Sequence, residues 1–245
     1  MVARKDLEEF RAANSELSRM VQETLEAFVL SLDLTRPEQV RDALLEFMPT
    51  LTERFGSVAA SLAAEWYEEM RLESGASGAF RASLAPSVAV DVVEAKVRTL
   101  ATHLWTPTPE AILGPLLLSA DKYVKQPGRD TTALNARREG VRWARVPSGA
   151  KTCSWCLILA SRDAVYVSQK SAAKRSDGES YHGKCDCQAV RLTSTDDYPP
   201  GYLPDDYYEM YQISRDSAGS GDMKEIAAAM RREFPGHVTD GVHTH

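Results

Sequence analysis

Apolar residues recur every three to four positions through most of residues 1–139, the period at which an α-helix buries one face. Leu7, Phe10, Leu17, Val21 and Phe28 form such a seam, with Asn14 and Thr24 interrupting it. "TRPE" at Thr35 to Glu38 fits a capping box with a proline in the first turn. The helical pattern then resumes, with Pro49 and Gly56 as points where it should kink or break. Val58, Leu62, Trp66 and Met70 lie four apart and predict one buried stripe. "ESGASGAF" predicts a flexible turn, and Pro86-Ser87 opens a helix carrying Val88, Val92, Val93, Val97, Leu100 and Leu104. "WTPTPE" starts another helix at Thr108-Pro109, and "KQPGRD" should end it. Together these stripes predict a helical bundle core.

The pattern changes over 140–195. "VRWARVP" predicts a short strand, "SGAK" a turn, "SWCLILAS" one or two helical turns, and "AVYVS" another strand. "QKSAAKRSDGES" is a polar loop, and "CDCQAVRL" predicts a final strand whose apolar and polar positions alternate imperfectly. This small α+β unit has little apolar material per residue, and units that thin usually need a staple. Residues 196–245 then give a polar, aromatic connector, "STDDYPPGYLPDDYYEMYQ", a short amphipathic helix in "DMKEIAAAMRREF", and a loose end, "PGHVTDGVHTH". The expected fold is therefore mainly α, a helical domain over 1–139 followed by a small α+β domain over 140–195. An interrupted seam suits docking or self-association better than a closed core, so the N-terminal helices are the expected partner surface.

Composition narrows the class. In 245 residues, 43% are hydrophobic and 26% charged, as in a soluble globular chain of one or two domains. The formal charge of -6 argues against a general binder of nucleic-acid backbone, and no specific nucleic acid is expected. No apolar run reaches the length of a membrane span, and "MVARKDLEEF" lacks the apolar core of a signal peptide. Synthesis in a cytosol follows, where disulfides are not the default use of cysteine.

All four cysteines fall in two short stretches, "TCSWC" and "YHGKCDC". Cys153 and Cys156 make a C-x2-C pair, whose tight turn aims two sulfurs at one metal, and Cys185 and Cys187 make a second pair. His182 lies three residues upstream of Cys185, so five candidate ligands exist for the four places of a structural zinc tetrahedron. Two disulfides, a thioredoxin-like redox pair and metal-free thiols are the alternatives. Between four cysteines and a set in which His182 replaces Cys187, the spacing leaves the choice open. Ser161 and His182 are the candidate serine–base pair for catalysis, though such a combination occurs in most proteins. The H-x-E, H-E-x2-H, P-loop, G-x-S-x-G and dinucleotide-binding signatures are all absent from the chain. Arg145 and Arg162 flank the cluster and are candidate anion binders; His243 and His245 read as solvated tail residues.

The run from "QPGRDTTALNARREGVRWARVPSGAKTCSWCLILASRDAVYVS" to "YHGKCDCQAVRL" resembles the minor head proteins of tailed bacteriophages related to the Mu F protein, most closely the actinobacteriophage branch. Arg145, Cys153, Cys156, Ser161-Arg162, Tyr166, His182, Cys185 and Cys187 follow that family's order; Asp163 departs from it, where glycine is common. The ligand spacing gives a zinc-stapled C-terminal domain, and the resemblance implies a role in phage head morphogenesis, as an internal minor capsid protein. The implied partners are the portal protein and the major capsid or scaffold protein, with the protein in the virion interior and, during assembly, the host cytoplasm. That branch is also described as a capsid maturation protease, a peptidase acting on scaffold or major capsid protein, which stands as the alternative function.

Overall fold

The computed structural model describes residues 4–147, 151–161, 187–194, 198–199 and 201–240. The expected strand "AVYVS" and the polar loop after it lie outside the described residues, as does the "SGA" of the expected turn. Helices α1 (Arg4–Leu30), α2 (Pro37–Glu73), α3 (Val90–Leu100) and α4 (Leu113–Glu139) precede strand β1 (Arg142–Val146). Helix α5 (Ser154–Ala160), strand β2 (Gln188–Leu192) and helices α6 (Pro204–Ala218) and α7 (Met223–Glu233) follow. The fold is mainly helical with a small two-stranded antiparallel sheet, registered Arg142 to Leu192 and Val146 to Gln188.

The seam of α1 is a core seam. Leu17, Val21, Leu25 and Val29 are buried against Val40, Leu44, Met48 and Leu51 of α2 and Leu116, Ala120 and Val124 of α4. Phe28 stacks on Phe47 with ring centroids 3.7 Å apart. Asn14 does not open the seam, because its amide donates to the Phe10 carbonyl at 2.9 Å and leaves the helix intact. The side of α1 expected to face a partner is therefore closed by α2 and α4.

Four local expectations are corrected. Thr35 does not cap α2: its hydroxyl donates to Asp33 at 2.6 Å, and Arg36 holds the cap position with Pro37 in the first turn. Pro49 and Gly56 do not break α2, which runs unbroken for 37 residues. Leu44, Met48, Leu51 and Phe55 enter one core on either side of Pro49. At about 1.5–3 kcal/mol for each buried side chain, their burial outweighs the roughly 3 kcal/mol that an internal proline costs. Val58 is 45% exposed, and the buried stripe is instead Ala59, Ala60, Ala63, Trp66, Tyr67 and Met70. Last, "KQPGRD" lies within α4, which continues to Glu139 and stops where Gly140 adopts φ 76°.

The two glycines explain both misread breaks. A Cβ on Gly56 would sit 3.2 Å from Pro127 Cγ, and one on Gly128 only 2.9 Å from the Ala59 carbonyl oxygen. They mark a crossing where α2 and α4 touch backbone to backbone, and small side chains are what that approach requires. The extended stretch before α3 is tied to the same helix: Ser83 N–H donates to Asn135 Oδ1 at 2.9 Å and Ala85 N–H to Thr131 Oγ1 at 2.9 Å.

The sheet packs on the far end of these helices. Leu7, Trp66, Tyr67, Met70, Ala133 and Ala136 share a core with Trp143, Ala144, Val146, Ala189, Val190 and Leu192. All five residues of β2 are buried, which is why its alternation reads imperfectly. At this junction Glu139 accepts from Tyr67 Oη at 2.6 Å, Arg71 Nε at 3.1 Å, and Arg191 Nε and Nη2 at 2.7 and 2.6 Å. Arg191 Nη1 also donates to Ser74 Oγ at 2.8 Å. Burial opposes ionisation of Glu139, but hydrogen bonds from Arg191 and Tyr67 overcome it and hold the carboxyl below its ordinary value. Burial, then the bond to Glu139, pushes the Tyr67 phenol up, so it stays a neutral donor.

The C-terminal part also differs from expectation. The aromatic connector holds a 15-residue helix, α6, entered at Pro204 and closed by Gly219 at φ 62°. It buries only Pro204, Met210 and Ser214, too few for a clear apolar period. Nor are residues 237–240 loose: Val238 is 4% exposed and packs with Leu157, Ile158, Ile226 and Met230.

Two outcomes follow from this packing. Gly128→Ala should destabilise the protein by about 1–3 kcal/mol through overpacking, whereas Gly114→Ala, with open space around it, should be neutral or slightly stabilising; urea midpoints of the two variants make the comparison. Because the folded pKa of Glu139 lies below its unfolded value near 4.5, its contribution is complete above that pH and is lost as pH falls through the folded pKa. Glu139→Ala should cost about 3–5 kcal/mol at pH 7 by leaving two buried guanidinium groups without their carboxylate, and the loss should shrink in urea titrations carried below pH 4.5.

Candidate metal centre

The C-x2-C pair is built into the start of α5. Cys153 is the N-cap residue, extended at φ -71° and ψ 150°, and its Sγ accepts the Cys156 amide at 3.2 Å. That bond curls the chain so that both side chains lie on the same side of one turn. Cys187 comes from the residue before β2, whose register with β1 is fixed by the ladder. Cys156 and Cys187 are fully buried and packed together, with the half-buried Cys153 against them.

Three of the five expected ligands therefore pack against one another, from two stretches more than thirty residues apart. Cys185 and His182 lie outside the described residues. Among the described residues, no group of three or more Cys, His, Asp or Glu side chains is arranged to hold a metal ion. The chemistry of the donor set, cysteines brought together in a buried place with one accepting a backbone N–H, fits a soft cation such as zinc better than a hard one. Zinc bound there would supply cross-linking of α5 to the start of β2.

The remaining predicted residues divide. Ser161 ends α5, is 6% exposed, and donates its hydroxyl to the Ile158 carbonyl at 2.8 Å. Arg145 is wholly buried on β1, inside the unit rather than at its surface. Arg162, Tyr166, His243 and His245 lie outside the described residues.

A set of residues that the sequence did not single out holds the cysteine turn from its other side. Asp240 accepts Ser154 N–H and Ser154 Oγ–H, both at 2.8 Å, and Arg231 Nη1 reaches Asp240 Oδ2 at 3.2 Å and Ser154 Oγ at 3.0 Å. Thr239 N–H donates to the Thr152 carbonyl at 3.0 Å, and Val238 bridges to Thr152. Burial opposes ionisation of Asp240, but the amide and hydroxyl of Ser154 outweigh it and lower its pKa. Partners 86 residues apart leave no local signal in the sequence.

The arrangement is a helical scaffold that presents a buried cysteine cluster at the edge of a two-stranded sheet. A family profile described as "VG15 protein" matches residues 1–214, and the chain belongs to that family. It is similar to the "Gene 15 protein" of Mycobacterium phage D29, with 25% identity over 122 residues, covering 38% of this chain and 44% of that protein. The match thus spans less than half of that relative. No solved structure matches the chain significantly. These findings name a phage relative; they do not name the Mu F-like minor head proteins.

If the cluster holds metal, protein purified without chelator should carry about one zinc per chain. Cys153→Ser should lose it and lower the stability of the C-terminal part, because thiolate ligation couples binding to folding. His182→Ala should retain it if all four ligands are cysteines. Elemental analysis beside thermal melts reads both effects.

Proposed function

We propose that this protein acts in phage head morphogenesis, as an internal minor capsid protein that associates with the portal. The observation that carries the reading is membership of the VG15 family over residues 1–214 together with similarity to a mycobacteriophage protein. The order of Arg145, Cys153, Cys156 and Cys187, shared with Mu F-like minor head proteins, supports the head assignment within that frame. Among the described residues, no helix is long and apolar enough to cross a membrane.

The geometry gives the protease alternative little help. A nucleophilic serine needs an accessible hydroxyl beside a base, and Ser161 is buried with its hydroxyl directed to a backbone carbonyl. Zinc in this reading is structural, holding the cysteine turn against the sheet.

Co-expression with the portal, scaffold and major capsid proteins of the same phage tests the proposal. The protein should copurify with the portal and be found inside assembled heads in fewer copies than the major capsid protein. Heads that exclude it, with no portal binding, would refute the assembly role. Shortening of scaffold or capsid protein that requires this protein and stops with Ser161→Ala would establish the protease instead.

A further inference from the structure

We infer that residues 237–240 form a strap that locks the cysteine turn, with Asp240 as its positioning residue. The strap reaches the turn through three separate bonds. Two run from Ser154 to the Asp240 carboxylate and one from Thr239 N–H to the Thr152 carbonyl, while Arg231 on α7 holds the Asp240 carboxylate from behind. Ser154 is wholly buried between Cys153 and Cys156 in sequence, so fixing its amide and hydroxyl fixes the turn that carries both sulfurs. Val238 anchors the strap in the same small core as Leu157 and Ile158, the next turn of α5.

The strap is needed because the turn is short. Helix α5 has only seven residues, and isolated helices of that length are marginal. The bond between Cys156 N–H and Cys153 Sγ is by itself a weak constraint. A carboxylate accepting two donors from one residue is stronger than neutral hydrogen bonds, and here the carboxylate is held in turn by Arg231. The strap and α7 lie beyond residue 214, so this chain completes the cysteine turn with a segment outside the family match. The placement of Cys153 and Cys156 then depends on the docking of one four-residue segment. Whatever lifts the strap also loosens the sulfurs.

The inference does not require a metal, and its test separates the two. Amide exchange of the full-length protein, purified without chelator, is followed by mass spectrometry over residues 151–157 and 237–240, with zinc content measured on the same samples. In Asp240→Ala, exchange over 151–157 should rise about tenfold or more while α1 to α4 stay as protected as in the parent. Asp240→Asn, which keeps an acceptor for the Ser154 amide, should show a smaller rise. Alkylation of Cys153 and Cys156 should accelerate in the same order. Exchange over 151–157 within about twofold of the parent in Asp240→Ala would overturn the strap. Should that variant fail to fold, the parent protein decides: protection of the two segments lost together in mild denaturant supports the strap, and unprotected 237–240 beside protected 151–157 refutes it. A rise on Asp240→Ala in protein that never contained zinc would leave the strap standing and remove the metal.

Discussion

The carboxylate of Glu139 is the point on which the two halves of this fold are joined. It ends α4, takes donors from Tyr67 and Arg71 on α2, and faces Arg191 on β2. The carboxylate and Arg191 side chains are 12% and 3% exposed, where an unpaired charge would cost several kcal/mol. Each therefore has to be where the other can reach it, and that sets how the sheet lies on the helices. Ser74 adds a second acceptor for Arg191, and Phe80 lies under the Arg71 guanidinium at 5.0 Å. Apolar packing alone would tolerate some sliding of the sheet on its helices. A bidentate ion pair tolerates very little.

That constraint reaches the cysteines. Cys187 sits four residues before Arg191, so the pair that fixes β2 also fixes where Cys187 enters the cluster. Cys153 and Cys156 are placed from the other direction, by α5 against α6, α7 and the strap. The sheet has little apolar material of its own, which from sequence made a staple look necessary. In the folded chain it borrows a core from α1, α2 and α4, through Leu7, Trp66, Tyr67 and Ala136. A deficit of burial therefore gives no argument for zinc, which stands as a proposal from the ligand types and their spacing.

Helix existence was legible because apolar period survives even where individual residues mislead. The seam of α1, the strand pair and the helices α5 and α7 are all visible as patterns in the chain. What failed was punctuation. Pro49, Gly56 and the Pro127-Gly128 pair read as breaks by local propensity, yet tertiary packing overrides them: core burial on either side carries α2 through Pro49, and close approach of α2 and α4 needs small residues at Gly56 and Gly128. Trp66 and Met70 of the expected stripe are buried, but Val58 is not, because at that end the buried face is built from Ala59, Ala60 and Ala63. At the site, each cysteine pair was legible because its two members lie only two or three residues apart. Glu139 with Arg191 and Asp240 with Ser154 were not, since polar partners 52 or 86 residues apart have no periodic signature.

The same polar residues bear on what the protein does. Catalysis by a serine or a charged pair needs groups left under-satisfied toward a substrate, with accessible lone pairs or protons. Here Glu139, Asp240, Ser154 and Ser161 each spend their hydrogen-bonding capacity on neighbouring elements of the fold. Chemistry at any of them would require first dismantling the contact that positions it. Among the described residues, these four groups hold helices, sheet and cysteine turn in one arrangement. A surface held that way is compatible with the assembly role proposed above, because a subunit with little left to order on binding loses less affinity to ordering.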